Sequence, residues 1–385
     1  MIPYARQSIN DEDIRVVVDV LQSDWLTQGP AVERFEQAVA KYCGAAHAVA
    51  VNSATSALQL AYLALGLGKD DIVWTSPNTF VATANAALHC GAQVDFVDVD
   101  PRTYNLSVDL LEARLREAEQ TGKLPKLVVP VHFAGQPCDL APISELGTRY
   151  GFRVVEDASH AIGAYYDGTK IGNCRYSDVT VFSFHAVKLI TTGEGGMALT
   201  NRPEVAAAIR RLRSHGVVRE RDRLIEPDPG PWYYEQQELG FNYRMTDFQA
   251  ALGASQLGRL EEFVRKRTEL AAWYDREIDG IGVVQPWQDP RMRSAWHLYV
   301  VQVDPRRTTR TRRAVFEKLR ACGIQVNVHY IPVHLHPYFR GLGFRSGDFP
   351  ASERYYEHAI TLPLYYDLSG RDQQRVVEAL REALA

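Results

Sequence analysis

Between residues 47 and 200 short apolar runs alternate with helix-like stretches. Ala48-Val49-Ala50-Val51 reads as a strand, and Thr55 to Leu65 as the helix after it. Ile72-Val73-Trp74 precedes a helical stretch from Phe80 to Leu88. Val94-Asp95-Phe96-Val97 precedes one from Ser107 to Leu115, whose serine suits an N-cap. Leu127-Val128-Val129 comes before a helix near Leu140 to Tyr150, and Val154-Val155 follows. Strands this short and continuously apolar, separated by helices, predict right-handed βαβ units around a mostly parallel sheet covered on both faces.

After Gly196-Met197-Ala198-Leu199-Thr200 the rhythm changes. Residues 219–240, rich in charge, proline and aromatics, read as a long excursion, and a long helix is expected from Thr246 to about Trp273. Beyond it only Tyr299-Val300-Val301-Gln302-Val303 and Ile324-Gln325-Val326-Asn327 read as strands, with a helix over Ala314 to Ala321 between them. At 385 residues the chain exceeds what one hydrophobic core usually serves. The pattern divides it into a large α/β domain with a mostly parallel mixed sheet (1–255) and a smaller C-terminal α+β domain (256–385).

Composition narrows the function classes. The hydrophobic fraction of 46% and charged fraction of 23% are those of an ordinary soluble protein. A net charge of −4 without a block of like charge gives no reason to expect a nucleic acid or an anionic membrane as partner. The arginine-rich run from Arg306 to Arg313 opens a helical pattern and reads as a solvated helix face. Five cysteines without a C-x-x-C pair argue against a disulfide framework or zinc site and suit a reducing cytoplasm. The N-terminus lacks the apolar core of a signal peptide, and no apolar run approaches the ~20 residues of a membrane span. A cytoplasmic protein is expected. His329, His334 and His336 lie close together, but with Pro332 and Pro337 among them and no carboxylate at ligand spacing no metal is expected.

Four segments carry candidate chemistry. Asn52-Ser53-Ala54-Thr55-Ser56-Ala57 lies between a strand and a helix, where unpaired N–H groups and the positive dipole end suit a phosphate monoester. A plain N-cap is the alternative. In Val154-Val155-Glu156-Asp157-Ala158-Ser159-His160 an acid ends a buried strand, where ligands of open α/β sheets sit. Such a carboxylate can keep a ring nitrogen protonated and make a pyridine ring an electron sink, or it can merely cap the next helix. In Ser183-Phe184-His185-Ala186-Val187-Lys188 a lysine follows an apolar strand in a Gly-rich setting. Burial there lowers its pKa, and a neutral amine forms a Schiff base. Ser183 can add a hydroxyl to the phosphate site. Gly193-Glu194-Gly195-Gly196 is no G-x-G-x-x-G fingerprint, so a dinucleotide fits poorly. Thr246 is a plausible N-cap in Gly240-Phe241-Asn242-Tyr243-Arg244-Met245-Thr246, whereas Asn242 and Arg244 offer donors to phosphate or sugar oxygens.

Together these segments resemble the DegT/DnrJ/EryC1/StrS sugar aminotransferases over essentially the whole chain, from Trp25-Leu26-Thr27-Gln28-Gly29-Pro30 to Val328-His329-Tyr330-Ile331-Pro332. The resemblance implies the aspartate-aminotransferase-like fold (fold type I) and pyridoxal 5′-phosphate (PLP) as cofactor. Lys188 becomes the Schiff-base lysine and Asp157 the partner of the pyridine nitrogen. Phe80 lies over the cofactor, His160 near its other side or its phenolic oxygen, and Ala54, Thr55 and Ser183 on its phosphate. Asn242 is implied as a phosphate ligand from the neighbouring subunit of a homodimer with shared active sites. Thr27, Arg244, His329 and Tyr330 are candidate contacts of the sugar nucleotide.

Within the family, Phe182 to Lys188, Ile190-Thr191-Thr192 and Phe80-Val81-Ala82-Thr83-Ala84-Asn85 are most similar to the pseudaminic-acid-pathway branch. Its enzymes aminate C4 of a UDP-linked 4-keto-6-deoxy N-acetylhexosamine with L-glutamate as donor. Amination at C3, or of a dTDP- or GDP-sugar, and a non-catalytic regulatory protein on the same fold are the alternatives. The family's dehydratases replace the lysine with histidine, whereas Lys188 is present here.

Overall fold

The protein's structure, a computed structural model, describes residues 1–226 and 229–385. Pro227 and Asp228, inside the excursion expected at 219–240, lie outside the described residues.

The apolar runs form a seven-stranded sheet. Its strands are β1 (His47–Val51), β2 (Ile72–Thr75), β3 (Gln93–Phe96), β4 (Leu127–Val129), β5 (Arg153–Asp157), β6 (Val179–Ser183) and β7 (Gly196–Thr200), in spatial order β1-β7-β6-β5-β4-β2-β3. Six strands run one way; β7 runs against both its neighbours. The intervening helices are α1 (Asp11–Leu21), α2 (Pro30–Cys43), α3 (Ala54–Ala64), α4 (Ala82–His89), α5 (Val108–Thr121), α6 (Leu140–Tyr150) and α7 (Pro203–Arg213). The Ser107 hydroxyl caps α5 by accepting from the Leu110 N–H.

Alternation along the strands fills two cores, because successive side chains point to opposite faces. Val49, Val51, Val73, Val129, Val155 and Val181 pack on one face with Leu58 and Ala61 of α3 and Ile209 of α7. Ala48, Ala50, Trp74, Val128, Val154 and Phe182 pack on the other with Phe35 of α2, Leu111 of α5 and Ile143 of α6. Both faces exclude water, which is why these strands read as unbroken apolar runs.

The long helix expected from Thr246 is instead two helices, α8 (Asp247–Leu257) and α9 (Leu260–Glu277). Thr246 does begin the first, its N–H and hydroxyl both donating to Gln249 Oε1. The break falls at Gly258, a weak helix former, and Arg259, whose ψ of 3° leaves the helical region. The Arg259 guanidinium turns to the buried Asp13 carboxylate and the Ser8 carbonyl at the start of α1, a contact a straight helix would forgo.

The C-terminal part contains a three-stranded antiparallel sheet, β8 (Val283–Val284), β9 (Tyr299–Val303) and β10 (Ala359–Leu362), in that spatial order. With α10 (Arg312–Ala321), α11 (Pro350–His358) and α12 (Gly370–Leu384) it buries a separate cluster that includes Tyr274, Val301, Leu319 and Val377. Only Arg312 and Arg313 of the arginine-rich run are in α10, where exposed Arg313 pairs with Glu317; Arg306 lies in the turn before it and pairs with Asp304. The strand expected over Ile324 to Asn327 does not form. Only single bridges, Ile2 with Ile324 and Asn327 with Thr361, hold that segment, because the N-terminal segment and β10 each take one of its ends. No described helix is long and apolar enough to cross a membrane.

Candidate active site

The sheet brings four loops to one edge. β1, β2, β5 and β6 end there, and β7, running the other way, begins there. Gly196 pairs with Val51 on one side and Ser183 on the other, so the turn into α3 and the end of β6 are neighbours. A Cβ on Gly196 would lie 2.4 Å from the Ala54 nitrogen. Only glycine lets the sheet approach the first N–H groups of α3, which have no intrahelical acceptor.

Asp157 ends β5 and is held by the segment that continues β4. Its N–H donates to the Pro130 carbonyl at 2.9 Å, and its carbonyl accepts from the His132 N–H at 3.0 Å. The buried carboxylate accepts from the Ser159 N–H (3.1 Å) and hydroxyl (2.6 Å) on Oδ1, and from the Thr83 hydroxyl (2.6 Å) on Oδ2.

Lys188 lies in the loop between β6 and β7. The Phe184 N–H donates to the Gly195 carbonyl and the Thr192 N–H to the Phe184 carbonyl, closing the loop's base; the Lys188 N–H returns to the His185 carbonyl. Lys188 is half-buried, and its remaining exposure opens onto a cavity of about 610 Å³. Burial brings its amine down to about 8, against the pull of Asp157 in the other direction.

His160, His297 and His329 line that cavity, and burial holds each below its ordinary pKa. His160 and His297 lie with ring centroids 4.3 Å apart, tilted by 42°, and are held well below it; for both, Nδ1 is buried without a partner. His329, bonded through Nδ1 to the Thr361 hydroxyl at 2.8 Å, falls to about 3, with the Lys188 charge adding to burial. All three are neutral near pH 7. His160 Nε2 meets the Tyr330 hydroxyl at 3.1 Å. Phe80 stands at the cavity 59% exposed, 6.1 Å from the Tyr330 ring.

The cavity therefore joins nine of the twelve residues singled out from sequence: Ala54, Thr55, Phe80, Asp157, His160, Ser183, Lys188, His329 and Tyr330. Thr27, Asn242 and Arg244 do not line it. Thr27 bridges to Thr246, and Asp247 accepts from the Gly29 and Ala31 N–H groups, tying that segment to the start of α8. Asn242 is exposed and bridges to Ser214, while Arg244 keeps a buried Nε without a partner. Sequence reading missed Tyr4, Thr79, Thr83, Ser159, His297 and Asn327. Thr79 and Thr83 carried a signal, two hydroxyls one helical turn apart around Phe80, whereas Tyr4 and His297 arrive from distant segments.

An electrophilic carbonyl compound with an anionic tail would find a part-neutral amine, a carboxylate and a cradle of N–H groups in one enclosure. The sequence profile of the DegT/DnrJ/EryC1/StrS aminotransferase family matches residues 7–381. The spore coat polysaccharide biosynthesis protein SpsC of Bacillus subtilis is 42% identical over 384 residues, covering 99% of this chain and 96% of its own. The UDP-4-amino-4,6-dideoxy-N-acetyl-beta-L-altrosamine transaminase of Campylobacter jejuni subsp. jejuni is 37% identical over 382 residues, with coverages of 99% and 96%. Among solved structures, Helicobacter pylori PseC, an aminotransferase involved in the biosynthesis of pseudoaminic acid, superposes with a TM-score of 0.89 at 30% identity, covering 100% of this chain and 99% of its own. The chain belongs to the DegT/DnrJ/EryC1/StrS aminotransferase family, whose members are PLP enzymes.

Proposed function

We propose that this chain transfers the amino group of L-glutamate to C4 of a UDP-linked 4-keto-6-deoxy-N-acetylhexosamine. The observation that carries the amino-transfer part is the meeting of the Lys188 amine, lowered to about 8, and the Asp157 carboxylate in one cavity. The sugar part is supported by the name of the Campylobacter relative and by the likeness to PseC.

The residues present fit PLP. Carboxylate oxygens offer about four lone-pair sites, and Thr83 and Ser159 fill three at Asp157, which leaves one for a ring N–H from the cavity. Ala54, Thr55 and Ser183 offer N–H and hydroxyl donors to the phosphate, Phe80 a free ring face, and His160 an unpartnered Nδ1. Bound PLP supplies the electron sink that takes up the charge left when a proton leaves the amino-bearing carbon.

Lys188 would hold the cofactor through Nζ, and its amine, brought down to about 8, would serve as general base. Nζ takes the proton from Cα of glutamate and, in the second half, delivers one to C4 of the sugar. Asp157 keeps the ring nitrogen protonated throughout. Both halves use one cavity, so ping-pong kinetics are expected. Assay with glutamate against UDP-, dTDP- and GDP-linked 4-keto sugars tests the reading: the UDP sugar should turn over fastest, and preference for another nucleotide or for a 3-keto sugar would refute this substrate.

The N–H cradle gives a further prediction. Gly196→Ala should push the Ala54–Thr55 turn off the sheet, at the ~1–3 kcal/mol typical of overpacking, and weaken PLP retention during dialysis by at least about tenfold. Unchanged retention would show that this approach is not needed.

A homodimer with shared sites is part of the proposal. Ile14, Val18 and Leu21 expose one stripe of α1, and Trp25 and Leu26 extend it. An apolar patch of this kind marks an interaction surface. With Asn242 exposed outside its own chain's cavity, it is free to reach a partner's. Mixing Lys188→Ala with Asn242→Ala under subunit exchange then gives mixed dimers in which one site carries both lesions and the other neither. Provided Asn242→Ala is severely impaired alone, activity should rise toward about a quarter of wild type. No recovery despite exchange would put Asn242 in its own subunit's site.

A further inference from the structure

We infer that Thr83, backed by Thr79, is a positioning residue that fixes the Asp157 carboxylate through a one-way chain of hydroxyl donors. The inference rests on the reading of Asp157 as the partner of the PLP ring nitrogen.

The direction of the chain follows from proton counting. A carboxylate only accepts, so at 2.6 Å the single Thr83 hydroxyl proton is donated to Asp157 Oδ2. The competing acceptor, the Phe80 carbonyl, stands at 3.4 Å and is uncharged. With its proton committed, Thr83 Oγ1 can only accept from Thr79, and the 2.8 Å contact between the two hydroxyls therefore runs from Thr79 to Thr83. Both side chains are buried, so water does not compete.

The backbone holds this chain in place. Thr83 lies in the first turn of α4, its N–H bonded to the Phe80 carbonyl, while its own carbonyl accepts from the buried Tyr62 hydroxyl of α3 at 3.2 Å. The segment that presents Phe80 to the cavity thus also carries the hydroxyls that orient Asp157. Ser159 fixes Oδ1 from the other side. Held at both oxygens, the carboxylate keeps one orientation before any cofactor arrives, so binding need not order it.

Thr83→Val keeps the shape and removes the donor, and Thr83→Ser keeps the donor. The readouts are the PLP dissociation constant of the full-length protein, the induced circular dichroism of the bound cofactor's visible band, and the split between kcat and KM. Thr83→Val should bind PLP about tenfold more weakly and lose most of the induced dichroism. Its kcat should fall about tenfold while KM for glutamate stays within about twofold. Thr83→Ser should restore all three. A folded Thr83→Val with wild-type affinity and dichroism overturns the inference, as does a Thr83→Ser no better than the valine variant. Should Thr83→Val not fold, Thr79→Val carries the test, since it cuts only the outer link. A smaller loss in the same direction supports the chain, and no change in affinity or dichroism overturns it. A wild-type protein that takes up no PLP overturns the cofactor reading and this inference together.

Discussion

Lys188→Ala is expected to lose the visible band of lysine-bound cofactor and to lower turnover by at least about 1000-fold, ~4 kcal/mol of barrier. The remaining contacts, Asp157, the N–H groups at α3 and Ser183, should still retain PLP, so dialysis separates lost chemistry from lost binding. Lys188→Arg should fail equally, because a guanidinium stays charged and neither attacks a carbonyl nor accepts a proton. The pH dependence follows from burial. An ordinary lysine amine titrates at 10.5 and this one at about 8, a difference of 10.5 − 8 = 2.5, so its neutral fraction at pH 7 is about 300-fold larger. Since the neutral amine reacts, PLP uptake by the cofactor-free protein should speed up as pH rises and level off above about 8. A Lys188→Ala enzyme within tenfold of wild type, or uptake that falls with rising pH, would refute the role.

What the sequence made legible follows from what is local. Strands buried on both faces show as unbroken apolar runs, so six of the seven strands of the large sheet and the ends that carry Asp157 and Ser183 could be read directly. The direction of β7 could not, because Gly196 to Thr200 looks the same running either way; only its pairing with β1 and β6 reveals it. The break at Gly258–Arg259 depends on Asp13, some 250 positions away, and Ile324 to Asn327 lost its strand to Ile2 at the other end of the chain and to Thr361 of β10. The site divides the same way. Asp157 could be picked out by residue type at a strand end and Lys188 in the Gly-rich loop after one, whereas His297 and Tyr4 reach the cavity through the packing of the C-terminal part and the N-terminal segment.

The second large effect is expected from Asp157→Asn, and the neighbours of the carboxylate say why so small a change matters. An amide keeps one accepting oxygen. If it faces Ser159, the new NH₂ group faces Thr83, whose hydroxyl must then turn its proton away, to the Thr79 oxygen or the more distant Phe80 carbonyl, and the one-way chain of donors is lost. If it faces Thr83 instead, the NH₂ group meets two donors of Ser159. Neither arrangement offers a charge to a protonated ring nitrogen, so the nitrogen loses the group that keeps its proton, ~1.4 kcal/mol for each pKa unit lost. Turnover should fall by at least tenfold, the equivalent of ~1.4 kcal/mol in barrier. The fold should survive, because β5 is pinned by backbone bonds to Pro130 and His132 that the substitution leaves alone. Kinetics set beside thermal unfolding separate the two effects. A folded Asp157→Asn protein that loses less than tenfold would mean that the ring nitrogen draws its proton from elsewhere in the cavity, and the role assigned to Asp157 would have to be given up.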